Sequence, residues 1–164
     1  MLRRSALFLI ILSWQMVNCR QAKSFVSISK LPNYDTQAAD HILFLDFLIT
    51  QSGDNAPVKA KLVNSIAGNG KMKDLGSARI QQNQIKVVHI FSDKRQPVEI
   101  FYEHPLFLSV EVFSKEGNLS QNAQTAREGT LSLRVQDDPA REKIDLYSVT
   151  PKGEIKIYSL LIKK

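Results

Sequence analysis

Three histidines are the side chains of this 164-residue chain that are best suited to acid–base chemistry. His104 stands between Glu103 and a proline at the end of an apolar stretch, and Asp93 lies in the preceding turn. A nucleophilic hydrolase needs a base and a third group that orients it, so His104 with Glu103 or Asp93 is the catalytic candidate. For His104 we nevertheless expect a half-exposed histidine at a strand end, and the catalytic role is the alternative. His89, inside an apolar stretch, is predicted to be a core-edge histidine bonded to the backbone.

The motifs that would support catalysis or metal binding are missing from the sequence. It contains no G-x-S-x-G, no H-x-x-x-H and no C-x-x-C. Asp137 and Asp138 precede a proline, where turn formation accounts for them. With Asp54, Asn55 or Asp93 they would form a calcium site on loops, although no EF-hand spacing is present. The sequence therefore predicts no metal site and no cofactor, with loop calcium as the open alternative.

The first nineteen residues have the composition of an export signal. Arg3 and Arg4 are followed by a mostly apolar run over 6–17, and Cys19, the single cysteine, comes directly after it. The run is shorter than the roughly 20 apolar residues that a membrane-spanning helix needs. A positive start and about 7–15 apolar residues are typical of a secretory signal peptide. We therefore expect export, and a buried N-terminal helix or strand is the alternative.

The segment MVNC, which ends at Cys19, resembles a lipoprotein cleavage box. In such a box the cysteine becomes the first mature residue and its sulfur carries diacylglycerol, so the resemblance implies a lipid anchor at Cys19. The match is imperfect because Asn18 replaces the usual small residue. Ordinary cleavage just after Cys19 is the alternative. In both cases one cysteine cannot form a disulfide within the chain, so the domain depends on its apolar core.

The charge of the chain does not indicate a nucleic-acid partner. Loss of Arg3 and Arg4 with the signal leaves 20 basic residues against 16 acidic ones, so the formal charge falls from +6 to +4. The basic residues mostly alternate with apolar ones, whereas a nucleic-acid binder gathers them on one face. Solvated strand faces explain them better.

From residue 41 onward the apolar residues mostly recur with a period of two, which predicts strands. Turn residues separate most of these stretches. The predicted strands are 41–49, 58–66, 78–91, 98–104, 106–113, 130–136, 143–149 and 154–162. The sequence thus predicts an all-β fold: one antiparallel sandwich of seven or eight strands, immunoglobulin-like or fibronectin-like. The single tryptophan, Trp14, lies in the signal, so the core of true immunoglobulin domains is absent.

The predicted organisation is a signal peptide over 1–19, a tether or frayed segment over 20–39, and a sandwich over 40–164. SFVSIS, residues 24–29, alternates polar and apolar residues and is able to add a short first strand. The longest polar stretch, 114–129, is predicted to be a loop or a short helix. The aromatic residues of the central strands and the last hairpin are predicted to fill the core rather than form a binding platform.

Two functions fit these observations. The first is an exported, non-enzymatic accessory or binding module of the cell envelope, lipid-anchored if Cys19 is acylated, with a protein or polymer partner that the sequence does not identify. It would act through an exposed sheet edge or the 114–129 loop. The second is a small exported hydrolase that uses His104 with neighbouring carboxylates, which must then converge in one pocket.

Overall fold

The computed structural model describes residues 22–73, 83–113 and 119–164, and side chains over 23–73, 83–107 and 125–164. These residues form ten strands, one short 3-10 helix (Ile28–Lys30) and no α-helix. The strands are β1 (Ala22–Ser27), β2 (His41–Thr50), β3 (Lys59–Asn69), β4 (Gln84–Phe91), β5 (Val98–Glu103), β6 (Phe107–Phe113), β7 (Leu119–Thr125), β8 (Glu128–Gln136), β9 (Arg141–Thr150) and β10 (Gly153–Lys163). The predicted all-β class is confirmed, but the predicted number of seven or eight strands is wrong.

The main strands form two sheets, and β6 with β7 makes a separate two-stranded ribbon. One sheet has the order β1-β10-β9-β4-β5, and the other has the order β3-β2-β8. All neighbouring strands are antiparallel except β1, which lies parallel to β10. Phe47 of β2 meets Tyr158 of β10 edge to face, with ring centroids 5.4 Å apart. The two sheets therefore pack face to face around one core.

The core comes from the alternation of apolar residues that the sequence shows. On β2, Leu43, Leu45, Phe47 and Ile49 are fully buried, whereas the residues between them are only partly buried. Each fully buried apolar side chain of this size contributes roughly 1.5–3 kcal/mol to folding. The sequence of β2 is nearly continuously apolar, yet its outer face is half-exposed because β2 lies in a sheet that is covered on one side.

The N-terminal segment belongs to the folded domain. Residues 22–27 pair in parallel register with 158–163 of β10, and Val26 and Ile28 are buried in the core. The predicted short first strand in this region is confirmed. The segment 20–39, which the sequence predicts to be a tether or a frayed end, thus contributes core residues from Val26 onward. Its alternating apolar residues give β1 an inner face, and β10 supplies the backbone partners.

The polar stretch 114–129 contains strand β7 where the sequence predicts a loop or short helix. Residues 119–125 pair with 107–113 of β6 in an antiparallel ribbon. Backbone pairing requires no apolar side chain, so a polar sequence can form such a strand. The predicted hairpin between the last two strands is confirmed, with Gly153 at φ +128° in its turn.

The export signal and Cys19 lie outside the described residues, so these predictions stay predictions. Among the described residues, no helix is long and apolar enough to span a membrane.

Candidate functional site

The two sheets separate along the side where β5 and β8 form their edges. Within the described residues, β5 pairs with β4 alone and β8 pairs with β2 alone. A cavity of about 900 Å³ opens between these two edges and extends to the start of β9. We call it the β5–β8 groove. An open groove beside unpaired strand edges is the place where a sandwich can take up a partner.

The walls of the groove are largely apolar. Val98, Ile100, Phe101 and Tyr102 come from β5, and Val135 comes from β8. Val98 keeps 48% of its surface exposed, which is high for a valine in a strand. Burial raises the pKa of Tyr102, so its hydroxyl stays protonated at neutral pH. These side chains give the groove contact area for apolar groups of a partner.

His89 lies in the wall of the groove, on the inward face of β4. Only 4% of its surface is exposed, yet its Nδ1 has no hydrogen-bond partner among the described residues. Burial, together with the charge of the nearby Arg141 guanidinium, lowers its pKa to about 4. The ring is therefore neutral at pH 7 and carries a buried polar atom to which no described residue is bonded.

Arg141 lies beside His89, at the first position of β9. One guanidinium nitrogen, Nη1, donates to the carbonyl of Gln136, and the guanidinium lies 5.4 Å from the ring centroid of Phe91. Its Nε is buried and has no acceptor among the described residues. Burial lowers the pKa of Arg141, but an arginine remains charged at neutral pH. The group missing at Nε is an acceptor, because this nitrogen can only donate.

The charges around the groove favour an anion. Lys73 and Arg134 are exposed on its rim, and Glu103 is the acidic residue that lines it. Asp93 and Asp138 are both paired with Arg95, whose guanidinium lies 2.7 Å and 2.9 Å from them. Hydrogen bonds from Arg95 lower the pKa of both carboxyl groups, so both are ionised, and Arg95 offsets one of their two charges. The charges of Asp138 and Asp137 also act on Arg141 and raise its pKa against the larger effect of burial.

The calcium alternative has a partial basis in the structure. Asp93 and Asp138 do come together, but they surround a guanidinium rather than an empty space. Asp54 and Asn55 line a different cavity. Among the described residues, no group of three or more His, Cys, Asp or Glu side chains is placed to hold a metal ion.

His104 is fully buried, and the expectation of a half-exposed ring is wrong. The amide N–H of Leu106 donates to its Nδ1 at 3.2 Å, so the hydrogen of the neutral ring is on Nε2. Nε2 then donates to Ser148 Oγ at 3.0 Å. Burial lowers the pKa of His104 to about 4. A base for Ser148 would need the opposite tautomer, with a bare Nε2 and an acceptor at Nδ1.

The proposed partners of His104 have other neighbours. The hydrogen bonds of the His104 ring go to Leu106 and Ser148, whereas Asp93 binds Arg95 and Glu103 lines the β5–β8 groove. Ser148 lines a second cavity of about 690 Å³, beside residues of the 51–58 loop. The third histidine, His41, donates from Nε2 to the Asp35 carbonyl at 2.6 Å and stacks on Tyr34, so it holds the N-terminal segment.

Sequence reasoning did not find Arg141 or the groove. An arginine directly after a turn, at the start of a strand, resembles any solvated charge, and nothing in its spacing links it to His89.

The prediction for the aromatic residues is confirmed for Tyr158, which is buried and shares a 2.6 Å hydrogen bond with Ser24. Tyr102 packs against the core and also lines the groove, and the half-buried Phe101 lines the groove as well.

Comparison with known proteins adds no relative: no family model, no curated protein and no solved structure matches the chain. The geometry of the groove and the sequence therefore carry the functional argument.

Proposed function

We propose that this chain is an exported, non-enzymatic binding module of the cell envelope, lipid-anchored through Cys19, and that it holds an anionic segment of a protein or polymer partner in the β5–β8 groove. The export signal and the cleavage-box resemblance support the location. The apolar walls and the cationic rim support the class of partner.

One observation carries the proposal: the buried Arg141 Nε and His89 Nδ1 have no partner among the described residues. A buried polar group left unbonded costs about 1–3 kcal/mol, and native proteins contain few of them. A carboxylate or another anionic acceptor in the groove would accept from Arg141 Nε. Its charge would be balanced by Arg141 and by the rim residues Lys73 and Arg134.

We also propose that the sandwich is immunoglobulin-like. The order β10-β9-β4-β5 corresponds to G-F-C-C′ of a variable-type domain, and the adjacent strands β2 and β8 correspond to B and E. Two differences distinguish this chain: β3 lies beside β2 where A would pair, and no described strand lies beside β8 where D would pair. The β5–β8 groove opens at this position of D, so a partner's extended segment would add to the free edge of β8.

The tautomer of His104 favours the binding module over the hydrolase. Its ring donates to Ser148 and cannot accept the proton that a nucleophilic serine must lose. No described carboxylate bonds to this ring.

The test is photocrosslinking in cells of the native host, with benzoylphenylalanine at Val98 in the groove or at Val63 on β3. The two valines are matched, because they are 48% and 51% exposed. We expect a discrete adduct from Val98 and none from Val63. The adduct should weaken in the exposed-site variants Lys73→Gln and Arg134→Gln, which remove rim charge and leave the core intact.

Equal yields of adduct from both positions would contradict the proposal. So would an adduct whose yield is unchanged when both rim charges are removed. A thermal unfolding curve of each labelled protein separates loss of binding from loss of the fold.

A further inference from the structure

A second exposed surface lies on the other side of the molecule, on the outer face of the five-stranded sheet. We call it the basic β1–β10 patch, and it consists of Lys23, Phe25, Lys143, Leu161 and Lys163. Phe25 and Leu161 are opposite each other in the parallel register, and Leu161 is opposite Lys143 in the antiparallel one. The three strands therefore place one aromatic, one aliphatic and three cationic side chains on one surface.

The apolar part of this patch is unusually accessible. Phe25 keeps 62% of its surface exposed and Leu161 keeps 41%. Lys163 Nζ lies 4.3 Å from the ring centroid of Phe25, which places a cation directly at the edge of the apolar surface. A large exposed aromatic side chain flanked by lysines is typical of a surface that touches lipid headgroups.

Asp145, two residues after Lys143 on β9, is paired with two lysines. Asp145 has 1% of its surface exposed, and it binds Lys156, Lys143 and Ser159. Lys23 and Lys163 are exposed, and the next residue, Lys164, adds a further exposed cation. The surface that faces solvent here is therefore positive.

The position of the patch in the chain determines what can cover it. β1 begins at Ala22, three residues after Cys19. Three extended residues span at most about 11 Å. A lipid on Cys19 would therefore hold β1 and its exposed face close to the bilayer surface.

We infer that the basic β1–β10 patch rests on an anionic lipid bilayer, with Phe25 and Leu161 inserted among the headgroups and with Lys23 and Lys163 on the lipid phosphates. The inference rests on the proposed export and anchoring for its biological setting, but the lipid affinity belongs to described residues alone. It gives the domain a second membrane contact besides the anchor, and it turns one face of the five-stranded sheet toward the bilayer.

The experiment measures cosedimentation of the chain from residue 20, which carries no acyl group and holds every described strand. The vesicles consist of phosphatidylcholine with or without phosphatidylglycerol. We expect binding to the anionic vesicles alone, weakening as salt rises. Lys163→Gln should reduce the affinity about fivefold, and Phe25→Ser about tenfold or more. Val63→Ser with Lys61→Gln, on the exposed face of β3, is the matched control and should leave binding unchanged.

Equal binding to neutral vesicles, no binding to either, or the same loss in the control variant would overturn the inference. So would a dimer that depends on Phe25, because a second copy would then be the occupant. Mass spectrometry of the N-terminus from cell membranes separates this inference from the proposed anchor. Vesicle binding with an unmodified N-terminus refutes the anchor alone, and an acylated Cys19 without vesicle binding refutes the patch alone.

Discussion

His89 and His104 occupy two regions of one sandwich that are equally buried and differ in their hydrogen bonds. Their exposed fractions are 4% and 0%, and burial lowers the pKa of each ring to about 4. The ring of His104 is bonded through both nitrogens, to Leu106 and to Ser148. His89 has an unbonded Nδ1 and lies beside the unbonded Nε of Arg141.

This difference shows in which region the fold supplies all hydrogen-bond partners of a buried histidine and in which region it does not. The protein supplies every partner that His104 needs, so that region is structural although its Ser–His contact looks catalytic. At the β5–β8 groove, two buried polar atoms, His89 Nδ1 and Arg141 Nε, have no partner within the described residues. Burial and pKa are the same in both regions, so only the count of hydrogen bonds separates a structural histidine from a candidate binding residue.

The replacement His104→Leu should have the largest effect. It leaves the Leu106 amide and the Ser148 hydroxyl buried without their partner, and we expect the free energy of unfolding to fall by about 2–4 kcal/mol. Urea unfolding measures the change. His89→Leu is the matched control, and it should be neutral or stabilising because it removes a buried Nδ1 to which no described residue is bonded. Equal losses in the two variants would remove the contrast between the regions.

Acidification should destabilise the protein through both histidines. Above pH 6.5 both rings are neutral in the folded and unfolded chains, so their contribution to stability is complete. Between pH 6.5 and pH 4 the unfolded chain binds protons that the folded chain does not, and the free energy of unfolding falls as the pH falls. Each ring should contribute up to ~1.4 kcal/mol per pH unit. Between pH 6.5 and pH 4 this amounts to a loss on the order of 3 kcal/mol for each ring.

The measurement is urea unfolding at several pH values across this range. In His104→Leu the slope of stability against pH should fall by the contribution of one proton. If the slope stays the same, His104 is not the buried neutral group that the structure describes.

The replacement Gly129→Ala tests the packing next to His104 and should have a smaller effect. A Cβ at Gly129 would lie 2.5 Å from the carbonyl oxygen of Pro105 and 2.8 Å from its Cβ. We expect a loss of about 1–3 kcal/mol from this overpacking, measured by urea unfolding. Gly53→Ala is the control, because nothing lies within 4 Å of its Cβ and the variant should unfold like the parent. Equal stability of both variants would show that the loop at Pro105 shifts to accommodate the added Cβ at no cost in stability.

Much of the fold follows from the sequence, because a period of two in apolar residues is a local signal. It predicts the all-β class and strands such as β2 and β8, whose inward residues are the ones that alternate. β7 was missed because ribbon pairing depends on the backbone and leaves no apolar pattern. The contribution of β1 was underestimated because its partner, β10, is more than a hundred residues away.

The candidate site could not be predicted, for a related reason. His89 and Arg141 lie about fifty residues apart in the sequence and meet only through the β4–β9 pairing. His104 drew attention because it stands next to an acidic residue, yet consecutive residues of a strand point to opposite faces. Glu103, the last residue of β5, is exposed, whereas His104, which directly follows the strand, is fully buried.

The parallel pairing of β1 with β10 has a mechanical consequence. It joins the first described strand to the last over six consecutive register positions. A pull on residue 22 along the strand loads the backbone bonds of all six positions together in shear, whereas a peeling force would break them one after another. A domain tethered by its N-terminal segment would thus transmit tension from β1 into β10, and these two strands would resist extension as one unit.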